Sequence, residues 1–248
     1  EWLIKEDEFP EWAAAQLKIQ KERGAQGLKI WKDFGLRVRD HKNVLVTVDD
    51  ERLIPIWEMA AELDLPVMIH VSDPVAFFDP VDETNERFEE LTTHPEWVFS
   101  RPPFPPYLEI MESFANLVIR HTDTIFIGAH VGCYAENLDW VGKLLDSCPN
   151  FYVDFSARIS ELGRQPYSAR RFFIQHADQI LFGLDMGPDL DSYHIAYRFL
   201  ETDDEYFDYG SGEIPEQGRW KVNGIYLPDD VLKKVYSENA KKVLEINL

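Results

Sequence analysis

The chain has 248 residues, 45% of them hydrophobic and 13% aromatic, which suits one large folded core and excludes a disordered or fibrous polymer. Its 45 acidic residues outnumber 25 basic ones, for a formal net charge of -20, and such a charge repels polyanions, so nucleic acid is excluded as a partner class. No run of about 18 apolar residues occurs, and no membrane span is expected.

Short apolar runs that end on a polar residue alternate with longer segments of helical spacing, the pattern of repeated strand-helix units and a parallel sheet. A helix is predicted at about 10–23, followed by the strand Gly27-Leu28-Lys29-Ile30-Trp31. A second helix is predicted at about 50–63, leading into Pro66-Val67-Met68-Ile69-His70. Residues 71–106 then form a long connection rich in proline and aromatic residues. It reads as a lid, because loops of this length are usually functional.

The rhythm resumes with a helix at about 107–121, the strand Ile125-Phe126-Ile127-Gly128-Ala129-His130 and a helix at about 136–147. Next come Phe151-Tyr152-Val153-Asp154-Phe155-Ser156, a helix at about 167–176, Ile180-Leu181-Phe182-Gly183-Leu184-Asp185 and a helix at about 191–201. A second long connection, 202–227, holds Tyr206-Phe207-Asp208-Tyr209 and Gly218-Arg219-Trp220. It reads equally as packing beneath the sheet or as an oligomer contact. The last helix, about 228–245, starts at Pro228-Asp229-Asp230, with acids placed at the positive end of its dipole. Near-continuous apolar strands imply a sheet covered on both faces, and residues 1–248 read as a single domain. The two cysteines, Cys133 and Cys148, are too few for a disulfide framework and are expected as reduced core thiols, with the cytoplasm as the expected compartment.

Three of the strand runs finish on residues able to bind a metal or move a proton: His70, His130 and Asp185. Strand C-termini of a parallel barrel converge on one mouth, so residues distant in sequence form one site. Imidazole and carboxylate suit zinc and related divalent ions. His94, His121, His176 and His194 fall away from strand ends and read as structural. Asp73, just past His70, reads as a group that orients it or holds a lid.

Taken together, Gly27-Leu28-Lys29-Ile30, Pro66–His70, Phe126-Ile127-Gly128-Ala129-His130-Val131-Gly132, Val153-Asp154-Phe155-Ser156-Ala157-Arg158 and Ile180–Asp185 resemble the amidohydrolase superfamily. The resemblance is to the branch holding amidohydrolase-related proteins and aminocarboxymuconate semialdehyde decarboxylase, and it spans nearly the whole chain. It implies a (β/α)8 TIM barrel of the metal-dependent hydrolase type, of which this chain carries strands four to eight. It implies a divalent metal, zinc first and manganese second. His70 and Asp185 become ligands, with Asp185 alternatively a proton acceptor; His130 becomes a second ligand or the general acid/base. Lys29 lies where some relatives carry a carboxylated lysine bridging two metals, although an ordinary ion-paired lysine is the plainer reading. Arg158 reads equally as a clamp for a substrate carboxylate and as an ordinary loop ion pair, Arg164 is a second candidate on the same loop, and Phe78 and Tyr107 read first as loop packing and second as an apolar substrate wall.

The sequence departs from the family in one respect: no His-x-His pair occurs. The barrel is therefore expected to be partial, its N-terminal strands missing from this chain and supplied by an upstream segment, another polypeptide or a second copy. Without that segment, metal affinity is expected to collapse. The first function expected is hydrolysis of a small amide, ester or lactone. Non-oxidative decarboxylation of a small carboxylic acid is the alternative, and an inactive barrel fragment serving in binding or assembly is the third. Expected partners are a small-molecule substrate and either a homo-oligomer or the missing N-terminal segment.

Overall fold

A computed structural model describes residues 8–187, 189–210, 215 and 217–244. Its sheet is an open parallel arc whose five strands lie in sequence order: β1 Leu28–Ile30, β2 Val67–Ile69, β3 Phe126–Gly128, β4 Phe151–Asp154 and β5 Ile180–Leu181. The helices are α1 Phe9–Glu22, α2 Ile54–Glu62, α3 Phe88–Thr93, α4 Tyr107–Arg120, α5 Leu138–Ser147, α6 Pro166–Gln175, α7 Leu190–Glu201, α8 Asp229–Lys233 and α9 Asn239–Leu244. A π-helical turn, Lys234–Glu238, joins α8 to α9, so the single terminal helix expected from the periodicity is interrupted. This alternation of strands and helices is the α/β arrangement that the sequence predicts.

The register aligns Leu28, Val67, Phe126 and Phe151 across neighbouring strands, and one residue on it aligns Lys29, Met68, Ile127 and Tyr152. Successive side chains of a strand point to opposite faces. The first set joins the large core under the helices; of the second, Met68, Ile127 and Tyr152 lie in a smaller cluster with Leu181, covered by Val243 and Ala240 of α9, while Lys29 is exposed. Helix α4 shows why these segments fold as they do: Ile110, Met111, Phe114, Leu117 and Val118 fall at helical spacing and are all buried. Burying a side chain such as Phe114 contributes about 1.5–3 kcal/mol. Asn137 caps α5 by accepting from the Trp140 N–H, and Asp189 caps α7 by accepting from that of Ser192. Beside β5, the Phe182 N–H donates to the Val235 carbonyl in the π-helical turn. No helix of the described residues is long and apolar enough to cross a membrane.

The connection 71–106 is a folded unit. Phe78 packs 5.2 Å from Phe99 and 5.3 Å from Tyr107 between ring centroids, and Asn85 donates to the carbonyls of Ala76 and Pro80. The described part of 202–227 packs against the loop that follows β4, through Trp220 and Asn223. It therefore sits at the strand-end side of the sheet and not beneath it. Cys133 and Cys148 are free and buried, as expected.

Candidate active site

His70, His130 and Asp185 all lie beyond the last paired residue of β2, β3 and β5, where the chain leaves the ladder. The His70 and His130 rings meet edge to face with centroids 4.5 Å apart, and His130 Nε2 lies 3.8 Å from Asp185 Oδ2. The sheet thus assembles the three strand-end residues singled out from the sequence. Asp185 is the solvent-facing member, its side chain 63% exposed, whereas both histidines are buried.

The chain reaches this arrangement through unusual backbone. His130, Val131, Gly132 and Cys133 have φ values of 60°, 59°, 61° and 64°, one turn of left-handed conformation in a sequence with a single glycine among the four. Each non-glycine residue there costs roughly 1–2 kcal/mol, and a β-branched valine is a rare occupant. The turn is held by Asp154, at the end of β4, whose Oδ1 accepts from the His130 N–H (3.0 Å), the Ser156 N–H (2.9 Å) and Ser156 Oγ (2.5 Å). Gly128 and Gly132 bracket it against Phe151. A Cβ on Gly128 would lie 2.9 Å from that ring and 2.9 Å from Gly132 Cα.

The same residues fix the state of His130. Its Nδ1 sits 2.9 Å from the Ser156 carbonyl; a carbonyl only accepts, so the ring proton resides on Nδ1 and Nε2 presents a lone pair toward Asp185. Burial, followed by the nearby charges of Arg158 and His70, pushes the imidazole pKa down to about 2. His130 is therefore a neutral acceptor. For the general acid/base role that the resemblance implies, the open position on the ring is Nε2.

His70 is bound differently. Its Nε2 is 2.9 Å from the Ser72 carbonyl and 3.6 Å from Asp73 Oδ1. Asp73 in turn accepts from Lys32 Nζ at 2.5 Å. Burial opposes ionisation of Asp73, but the neighbouring His70 ring and the Lys32 charge outweigh it and hold the carboxyl down at about 2. Through Lys32, Asp73 ties the loop after β2 to that after β1, while the Ser72 carbonyl holds His70 Nε2.

Arg158 is 5% exposed, with Nη1 donating to the adjacent Ala157 carbonyl at 2.8 Å. Its Nε is buried without a hydrogen-bond partner, and among the described residues it forms no ion pair. A buried guanidinium with open donors beside a neutral imidazole is a ready site for a carboxylate. The other candidates from the sequence are differently engaged. Arg164 forms a two-pronged pair with Glu86 at 2.8 and 3.1 Å. Lys29 is exposed, with Nζ 5.8 Å from the Trp31 ring centroid. Tyr107 is buried with its hydroxyl donating to the Cys133 carbonyl at 2.6 Å, and burial raises its pKa. Phe78 and Tyr107 act as packing in this arrangement. A cavity of about 650 Å³ opens nearby between Val75, Asn85, Tyr134 and Glu136, but none of the strand-end residues lines it.

A catalytic divalent ion takes about three protein ligands with one open position. Here His130 Nε2 and Asp185 converge, while His70 Nε2 is occupied by the Ser72 carbonyl. Among the described residues no group of three or more His, Cys, Asp or Glu side chains is arranged to hold an ion. As they stand these residues do not fit a divalent metal: of the expected set His70, His130, Asp185 and Lys29, only His130 Nε2 and Asp185 converge.

Sequence reading missed Asp154, Ser156, Lys32, Arg87 and Glu161. Asp154-Phe155-Ser156 did carry a signal, two polar residues at the close of an otherwise apolar strand. Arg87 and Glu161 pair across 74 positions, and nothing local marks them.

Comparison with known proteins places the chain. A family model described as Amidohydrolase matches residues 2–246. No curated protein matches. Among solved structures, a manganese-bound dihydroxybenzoic acid decarboxylase from Polaromonas sp. JS666 superposes with a TM-score of 0.59 at 17% identity, over 96% of this chain and 67% of that one. The 2,6-dihydroxybenzoate decarboxylase from Rhizobium gives 0.58 at 15% identity, over 95% and 68%. The manganese-bound 5-carboxyvanillate decarboxylase from Novosphingobium aromaticivorans gives 0.51 at 16%, over 97% and 62%. These likenesses bear on the fold, which is that of TIM-barrel amidohydrolases.

Proposed function

The chain belongs to the amidohydrolase family, and from that premise we propose that it takes part in non-oxidative decarboxylation of a small carboxylic acid, with hydroxybenzoates the first class to test. The observation that carries the reading is Arg158, a buried guanidinium with an unpartnered Nε whose charge reaches His130. In this reaction the bond from carbon to carboxylate breaks, carbon dioxide leaves, and the electron pair left on carbon takes up a proton. Arg158 holds the carboxylate in place before cleavage. The proton reaches that carbon from solvent by way of the His130–Asp185 pair, whose Nε2 and Oδ2 lie 3.8 Å apart at the open side of the site. Decarboxylases of the same fold support the choice. Hydrolysis of a small amide, ester or lactone, the first expectation from the sequence, leaves Arg158 without a role. Divalent metal, zinc or manganese, remains part of the proposal only through donors beyond this pair.

The test is a panel of hydroxybenzoates, beginning with carboxyl-labelled 2,6-dihydroxybenzoate, assayed for labelled carbon dioxide with and without added manganese. Release of label by the native chain and its loss in Arg158→Met support the reading. An acid with an amine or alcohol as the only products would replace decarboxylation with hydrolysis. No turnover of either kind would favour a binding or assembly role.

A further inference from the structure

The loop carrying Arg158 is gripped from outside by a segment that does no chemistry. Gln217 Nε2 donates to the Ala157 carbonyl (3.3 Å), Trp220 Nε1 to the Ser160 carbonyl (3.0 Å) and Asn223 Nδ2 to the Gly163 carbonyl (2.9 Å). Gln217 and Arg158 thus donate to the same carbonyl, that of Ala157, whose φ of 52° is left-handed.

The indole of Trp220 lies at the centre of this contact. The guanidinium of Arg164 sits 4.0 Å from its ring centroid and that of Arg87 5.6 Å, distances within the range of cation–π attraction. A Cβ on Gly218 would fall 1.8 Å from the ring, so the indole packs directly on backbone. From the other side of the loop, Arg87 pairs with Glu161. Arg158 lacks a carboxylate partner among the described residues, and its place is set by what holds the loop on which it rides.

We propose that Trp220 is a positioning residue: it braces residues 157–163 between Gln217 and Arg87, and thereby sets the direction in which Arg158 presents its guanidinium to an anionic substrate group. The brace rests on geometry; its use for a substrate carboxylate rests on the decarboxylase reading.

The experiment follows the Arg158 Nε–H by nitrogen-edited NMR of the full chain, with its signal assigned by loss in Arg158→Lys. In the native chain this buried hydrogen is expected to exchange slowly. Trp220→Ala is expected to speed its exchange by about tenfold or more while amides of β3 keep their protection, as local opening without global unfolding requires. Trp220→Phe keeps an aromatic ring between Arg87 and Arg164 but loses the bond to Ser160, and is expected to give a smaller increase. Exchange at Arg158 within about twofold of native in Trp220→Ala, or rising only in step with the β3 amides, overturns the brace. If Trp220→Ala does not fold, Trp220→Phe combined with Gln217→Ala is held to the same criterion. Titration of the native chain with 2,6-dihydroxybenzoate separates the two layers. A shift of the Arg158 signal supports carboxylate binding, and its absence counts against the decarboxylase reading without touching the brace.

Discussion

Removing the negative charge of Glu161 should destabilise this protein more than any surface change. Arg87 has no exposed side-chain area, Glu161 has 1%, and the pair is joined by Glu90 at 2.9 Å from Arg87. Burial opposes the charge on each partner, yet Arg87 and Arg158 outweigh it to keep Glu161 low, and Glu161 and Glu90 outweigh it to keep Arg87 high. Breaking a buried pair from one side costs about 3–5 kcal/mol, because the remaining charge is stranded. Glu90 stays with Arg87 in Glu161→Gln, which places the loss near the lower end, about 3 kcal/mol. At roughly 2–4 °C per kcal/mol for a chain of this size, the melting temperature should drop by about 6–12 °C. Urea unfolding at neutral pH measures the loss directly. The double change Arg87→Met with Glu161→Leu should recover most of it, since apolar residues of similar volume replace a buried pair with little penalty. A loss below about 1 kcal/mol in Glu161→Gln, or no recovery in the double variant, refutes this reasoning.

Asp154→Ala strands the His130 and Ser156 N–H groups; at about 1–3 kcal/mol for each buried donor, chemical denaturation should register a loss of about 2–6 kcal/mol. Asp49 gives a pH signature. Burial works against its charge, but bonds from Ser113, Thr47 and Asn116 prevail and lower its pKa from 3.8. Its contribution is therefore present above that unfolded value and lost as pH falls through the lower folded one. The melting-temperature gap between native and Asp49→Asn should narrow as pH drops from 7 toward 3, and a constant gap contradicts the assignment. Calorimetric titration with manganese chloride should show weak binding, because two donors converge where about three are needed; one tightly held ion per chain overturns that account.

Strand order and the identity of the strand-end residues were legible because both follow from patterns that survive in one dimension. An apolar run closing on His70, His130 or Asp185 announces a strand and its mouth together. The state of those residues was not legible. The Nδ1 proton of His130 depends on the Ser156 carbonyl just past the neighbouring strand β4, and His70 is turned toward Ser72 by a loop whose course only the fold decides. Arg158 and Arg164 look alike in sequence, six positions apart on one loop. They separate only because Glu86, 78 positions away, lies within reach of the second. Val131 in a left-handed turn runs against every local preference, and it is held there by Asp154.

That turn also divides the site into parts that can and cannot respond to a ligand. With Gly128 and Gly132 pressed against Phe151, and the His130 amide tied to Asp154 of β4, the backbone under the imidazole is held on two sides. Under the proposed decarboxylation, adaptation to substrates of different shape then falls to the solvent-facing Asp185, since the loop carrying Arg158 is itself braced. Variation among substrates should accordingly be absorbed in the loop after β5, leaving the histidine as the fixed reference.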